Sequence, residues 1–279
     1  ASETLFVLND GLLVQDEQGF GCAALHPEAR DTAQRRLLQR GASETLFVLN
    51  EKPIVPPARP QDAPPLLEAV ERSRVVMLYD FPELFDPLTH RITEYLRRFH
   101  RIEISSMVVE RSKDREDPAI PRNYKRMVPI QYQETVHCLA YVLHVLAALR
   151  GSFEAALAEG VSVSANSEPY CPPNPGAYPH VVDGRCDFRL SLGRLSVEGI
   201  TNFKRGAPWA KRRLLRGQGD GQPLVIEADY LEGKKRLRIN GEDEGWDPAA
   251  SSYEAILSTL AQWRATVPAA TLMRGVFPN

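Results

Sequence analysis

The sequence has few cysteines, no long apolar run and almost no net charge. Its four cysteines are widely spaced: Cys22, Cys138, Cys171 and Cys186. The absence of a Cys-x-x-Cys pair argues against a disulfide framework and against a structural zinc site. The longest apolar stretch, at about 138–149, is too short to span a bilayer and is interrupted by His144. A formal net charge of -2 gives the protein no overall electrostatic attraction to nucleic acid or to an anionic membrane.

Other signatures are missing as well. Residues 1–8 lack the basic segment that opens a signal peptide. We find no nucleophile elbow, no P-loop and no paired-carboxylate signature, and no histidine and cysteine set with metal-ligand spacing. We therefore expect a cytoplasmic protein with no bound metal, no nucleic-acid partner and no membrane partner.

The composition is that of a soluble globular protein, with 43% apolar and 25% charged residues in a chain of 279. Strands and helices alternate in the first part of the chain, and strands dominate the second. We predict an α/β plus α+β architecture. A reduced Rossmann-like parallel-sheet domain spans 1–82, and an open, mainly antiparallel sheet domain with helices on one face spans 83–279.

A nonapeptide occurs twice without change, as residues 1–9 and 42–50. Both copies have the β-branched and aromatic content of a strand and end in asparagine. Their flanks differ, so the pair is not a solenoid repeat. A local duplication and an artificial repeat both remain open.

The second copy leads into Glu51-Lys52-Pro53 and a stretch with six prolines between Pro53 and Pro65. Such a stretch can be neither a regular helix nor a central strand. A helix at 65–73 and a strand at 74–79 are predicted to follow. The first domain therefore closes with a strand, the Glu-Lys-Pro segment, a proline-rich loop, a helix and a second strand.

Three patterns stand out in the second domain. Residues 131–149 form the most apolar predicted helix. The predicted strand 101–111 alternates between two sides. One side, expected to face the core, carries Ile102, Ile104, Ser106 and Val108. A basic cluster surrounds Trp209: Lys204, Arg205, Lys211, Arg212, Arg213 and Arg216. We interpret this cluster as a solvated strand face, with an anionic ligand or partner as the alternative.

This organisation resembles that of the Gfo/Idh/MocA oxidoreductase family. In that family the Glu-Lys-Pro motif ends a Rossmann strand, and its lysine lies beside the nicotinamide and the reacting hydroxyl. His26-Pro27 resembles the family's turn after the preceding strand. The resemblance implies a catalytic role for Lys52, cofactor contacts from Glu51, Pro53, His26 and Pro27, and NAD or NADP as the cofactor.

The apolar helix carries the second match. The family pattern there is Asp-x-Gly-x-His-x-x-Asp, and the same frame here keeps only His137, with Gln133 and Ala140 at the acidic positions. The resemblance implies that His137 acts as acid or base and that Gln133, Tyr124 and Lys125 contact substrate. The alternatives are a structural core histidine for His137 and a solvated basic loop for Tyr124 and Lys125.

The main departure from the family concerns the cofactor. Family members begin with a strand and a Gly-x-Gly-x-x-Gly turn, but only 50 residues precede Glu51 here. Residues 19–24 fit Gly-x-Gly-x-x-Ala, although 16–18 before them do not read as a buried strand. The phosphate-binding loop is therefore unconvincing.

Two functions follow from these patterns. The first is an NAD(P)-dependent oxidoreductase acting on a sugar, polyol or related carbonyl or imine. The second is a degenerate relative that binds no dinucleotide and serves as a binding or assembly partner or in non-redox chemistry. The resemblance also implies a homodimer formed through the open sheet face, and the second function implies a protein partner.

Overall fold

The structure, a computed structural model, describes residues 4–9, 20–24, 45–50, 52–73, 75–245 and 251–266. The chain divides into two compact units. The first contains Ala1–Asp80 and Leu257–Asn279, and the second contains Phe81–Ile256.

The first unit contains a parallel sheet of four strands. They are β1 (Thr4–Asn9), β2 (Phe20–Ala24), β3 (Thr45–Asn50) and β4 (Val76–Tyr79). Their order in the sheet is β2-β1-β3-β4, and every pairing is parallel. The described parts of the two nonapeptide copies, 4–9 and 45–50, thus form neighbouring strands, with Leu5 paired to Phe47.

Helix α1 (Ala63–Ser73) connects β3 to β4. Pro60 opens the 3₁₀ turn that leads into this helix, a position where its missing N–H costs nothing. Leu66 of α1 is fully buried and packs with Val48, Val55 and Val75. The apolar side of the helix therefore covers the sheet, as in a βαβ unit.

The second unit contains a mixed sheet of eight strands. They are β5 (Ile102–Ser112), β6 (Val161–Pro169), β7 (Asp183–Leu192), β8 (Leu195–Asn202), β9 (Ala210–Gly219), β10 (Gln222–Asp229), β11 (Arg236–Ile239) and β12 (Glu242–Asp243). The order is β12-β11-β10-β9-β5-β8-β7-β6. The β5–β8 pair is parallel and the other pairs are antiparallel.

The remaining helices are α2 (Pro82–Phe85), α3 (Pro87–Leu96), α4 (Val136–Arg150), α5 (Phe153–Leu157) and α6 (Ser252–Thr266). Helix α4 is capped by Gly151, whose φ of 91° is a backbone conformation that glycine adopts at little cost. Among the described residues, no helix is long and apolar enough to cross a membrane.

The core of the second unit lies on one face of its sheet. Every second side chain of β7 is buried, and Phe188 and Leu190 pack in the same cluster as Ile92 of α3 and Val145 of α4. A half-buried antiparallel sheet produces this alternation. The predicted fold class, a small Rossmann-like parallel sheet followed by an open sheet with helices on one face, is confirmed.

The predicted alternation along β5 is wrong beyond Ile104. A register shift between Ile104 and Ser106 inserts one extra residue against β9. Such a bulge reverses the side on which the following residues lie. Met107 and Val109 are consequently buried in the core, whereas Ser106 and Val108 were expected there.

Candidate functional site

The predicted lysine of the first unit follows the carboxyl end of β3. Asn50 ends β3 and is buried, and its carbonyl accepts a 2.9 Å hydrogen bond from the backbone N–H of Asp80, directly after β4. Lys52 is half-buried, and its peptide bond to Pro53 is cis. The carboxyl ends of parallel strands are where α/β proteins bind ligands, so the fold places Lys52 and Pro53 at a suitable edge.

Tyr79 ends β4 beside this segment. Burial raises its pKa to about 12, which a hydrogen bond with the Ile54 backbone partly offsets. A phenol with that pKa stays neutral at physiological pH. Tyr79 therefore ties β4 to the residues that follow Pro53.

Three predicted cofactor contacts, His26, Pro27 and Glu51, lie outside the described residues. Of the Gly-x-Gly-x-x-Ala segment at 19–24, the structure describes Phe20–Ala24. These residues form strand β2, which pairs with β1 along its length. A phosphate-binding turn must leave the strand at its first glycine. Strand geometry therefore does not support this segment as a phosphate loop.

The predicted site of the second unit starts with a π-helical turn. The predicted helix 131–149 divides into this turn, Gln131–Thr135, and α4. Gln131 Nε2 donates to Asp183 Oδ2 at 2.6 Å, and the hydroxyls of Thr135 and Thr201 lie 2.8 Å apart. These bonds fix the turn on β7 and β8. Wide turns of this kind often occur at functional sites.

Gln133 and His137 lie four residues apart across this junction. His137 is 4% exposed, and its ring meets the ring of Phe81 edge to face, with centroids 5.1 Å apart. The Nε2 of Gln133 lies 3.7 Å from the sulfur of Met127. Within the described part of the chain, the buried Oε1 of Gln133 accepts no hydrogen bond, which leaves an acceptor for a ligand.

Tyr124 and Lys125, the other predicted substrate contacts, are both exposed. The Tyr124 carbonyl accepts a 3.1 Å hydrogen bond from Asn174 Nδ2. The structure therefore places these two residues on a fixed surface turn, and it places Gln133 and His137 on one helical segment.

A buried ionic network lies beneath the π-helical turn, and the sequence did not predict it. The β5 bulge turns Arg111 inward, where it donates to Glu83 of α2 and, from Nε at 2.6 Å, to Glu134. Arg213 of β9 donates to the second oxygen of Glu83 at 2.6 Å. Lys113 donates to Glu134 at 2.6 Å. We call these five residues the buried network.

Electrostatics in the buried network follow from this packing. Burial opposes ionisation of Glu83, but Arg111 and Arg213 outweigh it and lower the pKa of the carboxyl. Burial lowers the pKa of Lys113 despite its bond to Glu134. A charge taken out of water needs close partners, so Arg111 and Arg213 hold Glu83 ionised, and its charge raises the pKa of both guanidiniums in turn.

Arg213 corrects one interpretation from the sequence. It belongs to the basic cluster expected on a solvated strand face, yet it is 1% exposed. Its neighbours Arg212 and Arg216 are exposed, as expected. The guanidinium of Arg213 also lies 5.1 Å from the ring centroid of Tyr141, a cation–π contact that favours burial of the charge.

The described residues contain no group of three or more His, Cys, Asp or Glu side chains that could hold a metal ion. Burial raises the pKa of the Cys138 thiol to about 11, although Arg213 and Arg111 oppose this shift. A thiol with that pKa is a poor nucleophile. Cys138 is therefore a core residue of the site.

No family model matches the sequence, and no curated protein is similar enough in sequence to match it. Solved structures are similar in fold. The UDP-N-acetylglucosamine 3-dehydrogenase of Acidithiobacillus ferrooxidans has a TM-score of 0.60 and 15% identity, over 89% of this chain and 70% of its own.

Two further structures cover more of their own length. The myo-inositol dehydrogenase of Corynebacterium glutamicum has a TM-score of 0.60 and 13% identity, over 95% of this chain and 89% of its own. A 3-ketoreductase from Actinomadura kijaniata, in complex with TDP-benzene and NADP, has a TM-score of 0.60 and 13% identity, over 99% and 95%. These proteins are oxidoreductases of the Gfo/Idh/MocA type, and the chain shares their fold.

Proposed function

We propose that the protein is an NAD(P)-dependent oxidoreductase that acts on a sugar, a polyol or a related carbonyl or imine. The proposal is supported by the fold shared with sugar and polyol oxidoreductases. It is further supported by the match of Lys52 and His137 to residues that the Gfo/Idh/MocA resemblance assigns to catalysis.

One observation carries the proposal. From β1 the chain first goes to β2 on one side and then to β3 on the other, so the strand order reverses between β1 and β3. Dinucleotides bind in the crevice at such a reversal, outside the carboxyl ends of the strands. Lys52 and Pro53 follow the carboxyl end of β3, which is a position suited to holding the nicotinamide end of the cofactor.

The bound nicotinamide would supply the hydride chemistry. In this proposal, the Lys52 ammonium donates a hydrogen bond to the substrate oxygen and stabilises the charge that develops there. His137 takes the hydroxyl proton in oxidation and returns it in reduction. The Phe81 ring, packed against the imidazole, restricts its orientation.

Turnover assays with single variants test these roles. Initial rates would be measured with NAD and NADP against a panel that includes myo-inositol and UDP-N-acetylglucosamine. We expect Lys52→Ala and His137→Asn each to lower kcat by about 100-fold or more. Lys234→Ala, at an exposed turn of the second unit, is the control and should retain full activity. Full activity of Lys52→Ala would refute the proposed role.

A second candidate function is a relative that binds no dinucleotide. It is favoured by the strand conformation of Phe20–Ala24, which removes the glycine turn, and by Gln133 and Ala140 in place of the family's acids. Such a protein would act as a binding or assembly partner or in non-redox chemistry.

We also propose a homodimer formed through the face of the second sheet that lies opposite the helices. The Gfo/Idh/MocA resemblance supports this face as the interface, and Ile200 of β8, which is 37% exposed, lies on it. Sedimentation should give a dimer for the unaltered chain and a monomer for Ile200→Arg. A monomeric unaltered chain would contradict the proposal.

A further inference from the structure

A small pocket opens where β5 ends and β9 begins, within the second unit. Its lining includes Arg111, Lys113, Glu134, Trp209 and Lys211. We infer that this pocket binds a small oxyanion, either a phosphate or a carboxylate group. The inference involves the second unit alone and does not depend on dinucleotide binding.

The first argument is an imbalance of charge. Four cationic side chains, Arg111, Lys113, Lys211 and Arg213, meet two carboxylates, Glu83 and Glu134. Both carboxylates already accept from two cations each at hydrogen-bond distance. Positive charge in excess at a partly buried site is unfavourable, and a bound anion would compensate it.

Lys211 is the cation whose charge is least satisfied. Its ammonium lies 3.9 Å from Glu83, whereas the Arg213 guanidinium lies 2.6 Å from the same carboxyl group. The Lys211 side chain is 31% exposed, so it remains accessible from solvent. Burial and the positive charge of Arg111 lower its pKa, as expected where positive charge is in excess. A bound oxyanion would give this ammonium a partner at hydrogen-bond distance.

The extended chain after β5 carries one further buried cation, Arg115, which lies outside the lining of the pocket. The backbone N–H groups of Lys113 and Arg115 donate to the carbonyls of Asn202 and Phe203, so the strand geometry continues and alternate residues share a side. Arg115 is 4% exposed, and its guanidinium contacts the sulfur of Met127 at 3.0 Å. The carboxylate of Glu134 also acts on Arg115 and favours its charged form, although burial and Arg122 lower the pKa of the guanidinium.

Trp209 borders the pocket and is 60% exposed. An exposed indole beside a cationic pocket offers an apolar surface to the organic part of a ligand whose anionic group enters the pocket. It also provides an optical signal for binding. The basic cluster around Trp209 is therefore divided between structural ion pairs, which include Arg213, and ligand contacts, which include Lys211.

The test is a titration of the full chain with sodium phosphate and, separately, with sodium malonate. Tryptophan fluorescence and calorimetry would be recorded at constant ionic strength, with chloride as the balancing ion. We expect saturable binding of at least one probe. Tighter binding of phosphate would identify a phosphorylated ligand, and tighter binding of malonate would identify a carboxylate ligand.

Lys211→Gln should weaken binding roughly ten-fold, the loss expected for one charge-assisted hydrogen bond. Because the ammonium of Lys211 makes only the 3.9 Å contact with Glu83 among the described residues, this variant should fold, and circular dichroism would verify that. Arg212→Gln, an exposed neighbour on the same strand, is the matched control and should bind like the unaltered chain. Absence of saturable binding by both probes, or equal affinity in Lys211→Gln, would overturn the inference.

Discussion

The two units bury their polar and charged side chains differently. In the second unit the charged groups beneath the π-helical turn, such as Glu83 and Arg213, are buried in the same layer as the core. In the first unit Lys52 and Tyr79 follow or end strands whose core residues lie further back in the sheet. We therefore expect side-chain changes in the buried network to be coupled to the stability of the second unit, and changes at the strand ends of the first unit to alter stability little.

The largest expected effect tests this coupling in the buried network. Glu83→Gln removes the carboxylate that holds Arg111 and Arg213, which leaves buried charge without compensation. We expect a loss of about 3–5 kcal/mol in the free energy of unfolding. Hydrogen exchange in peptides from β5 and β8, which reports the second unit, would measure it.

The matched control for this variant is Glu198→Gln. Glu198 pairs with Arg189 at 3.3 Å, but both side chains are largely exposed, so the expected loss is at most about 1 kcal/mol. Equal losses for Glu83→Gln and Glu198→Gln would show that the buried network does not stabilise the second unit.

The next effect is a pH dependence of the second unit. Burial, with the nearby charges of Arg97 and His90, lowers the pKa of His144 from 6.5 to about 4. Between these two values the unfolded chain binds a proton that the folded chain does not. The stability that the neutral ring provides is complete above pH 6.5. It should decline by up to about 3 kcal/mol as the pH falls to 4.

His144→Gln removes this contribution, so its free energy of unfolding should change less between pH 6.5 and pH 4. Urea denaturation at a series of pH values would measure the slope. His180→Gln, at an exposed position, should retain the slope of the unaltered chain. An unchanged slope in His144→Gln would contradict the assignment.

The smallest effect is expected in the first unit. Tyr79→Phe removes the hydrogen bond with the Ile54 backbone, which should cost about 1 kcal/mol. Because this bond holds the segment that follows Lys52, the KM for the cofactor should rise severalfold with little change in thermal stability. A large loss of stability with an unchanged KM would remove the distinction between the two units.

Sequence patterns predict much of the second unit because several of its strands, such as β7 and β8, alternate cleanly between buried and exposed residues. In β7, Phe188 and Leu190 lie two apart and both face the core. In the first unit, the Glu-Lys-Pro segment directly after β3 helps to predict both β3 and the strand that follows, β4. The roles of Lys52 and His137 come from the family resemblance, and they stay predictions.

The buried network could not be predicted from local patterns. Glu83 lies 28 positions from Arg111 and 130 positions from Arg213, so only the folded topology brings them together. The bulge beside Ser105 also reverses the side of β5 on which Arg111 lies. In the sequence all three residues resemble solvated surface charges, because burial of a charge depends on partners that the local chain does not reveal.

Titration of the purified protein with NADH and NADPH, followed by nicotinamide fluorescence and calorimetry, tests the central claim most directly. Our account predicts saturable binding of at least one cofactor in the micromolar range, retained in His137→Asn because that variant changes only the proton-transfer group. Absence of binding up to millimolar cofactor would contradict the oxidoreductase proposal and favour the relative that binds no dinucleotide.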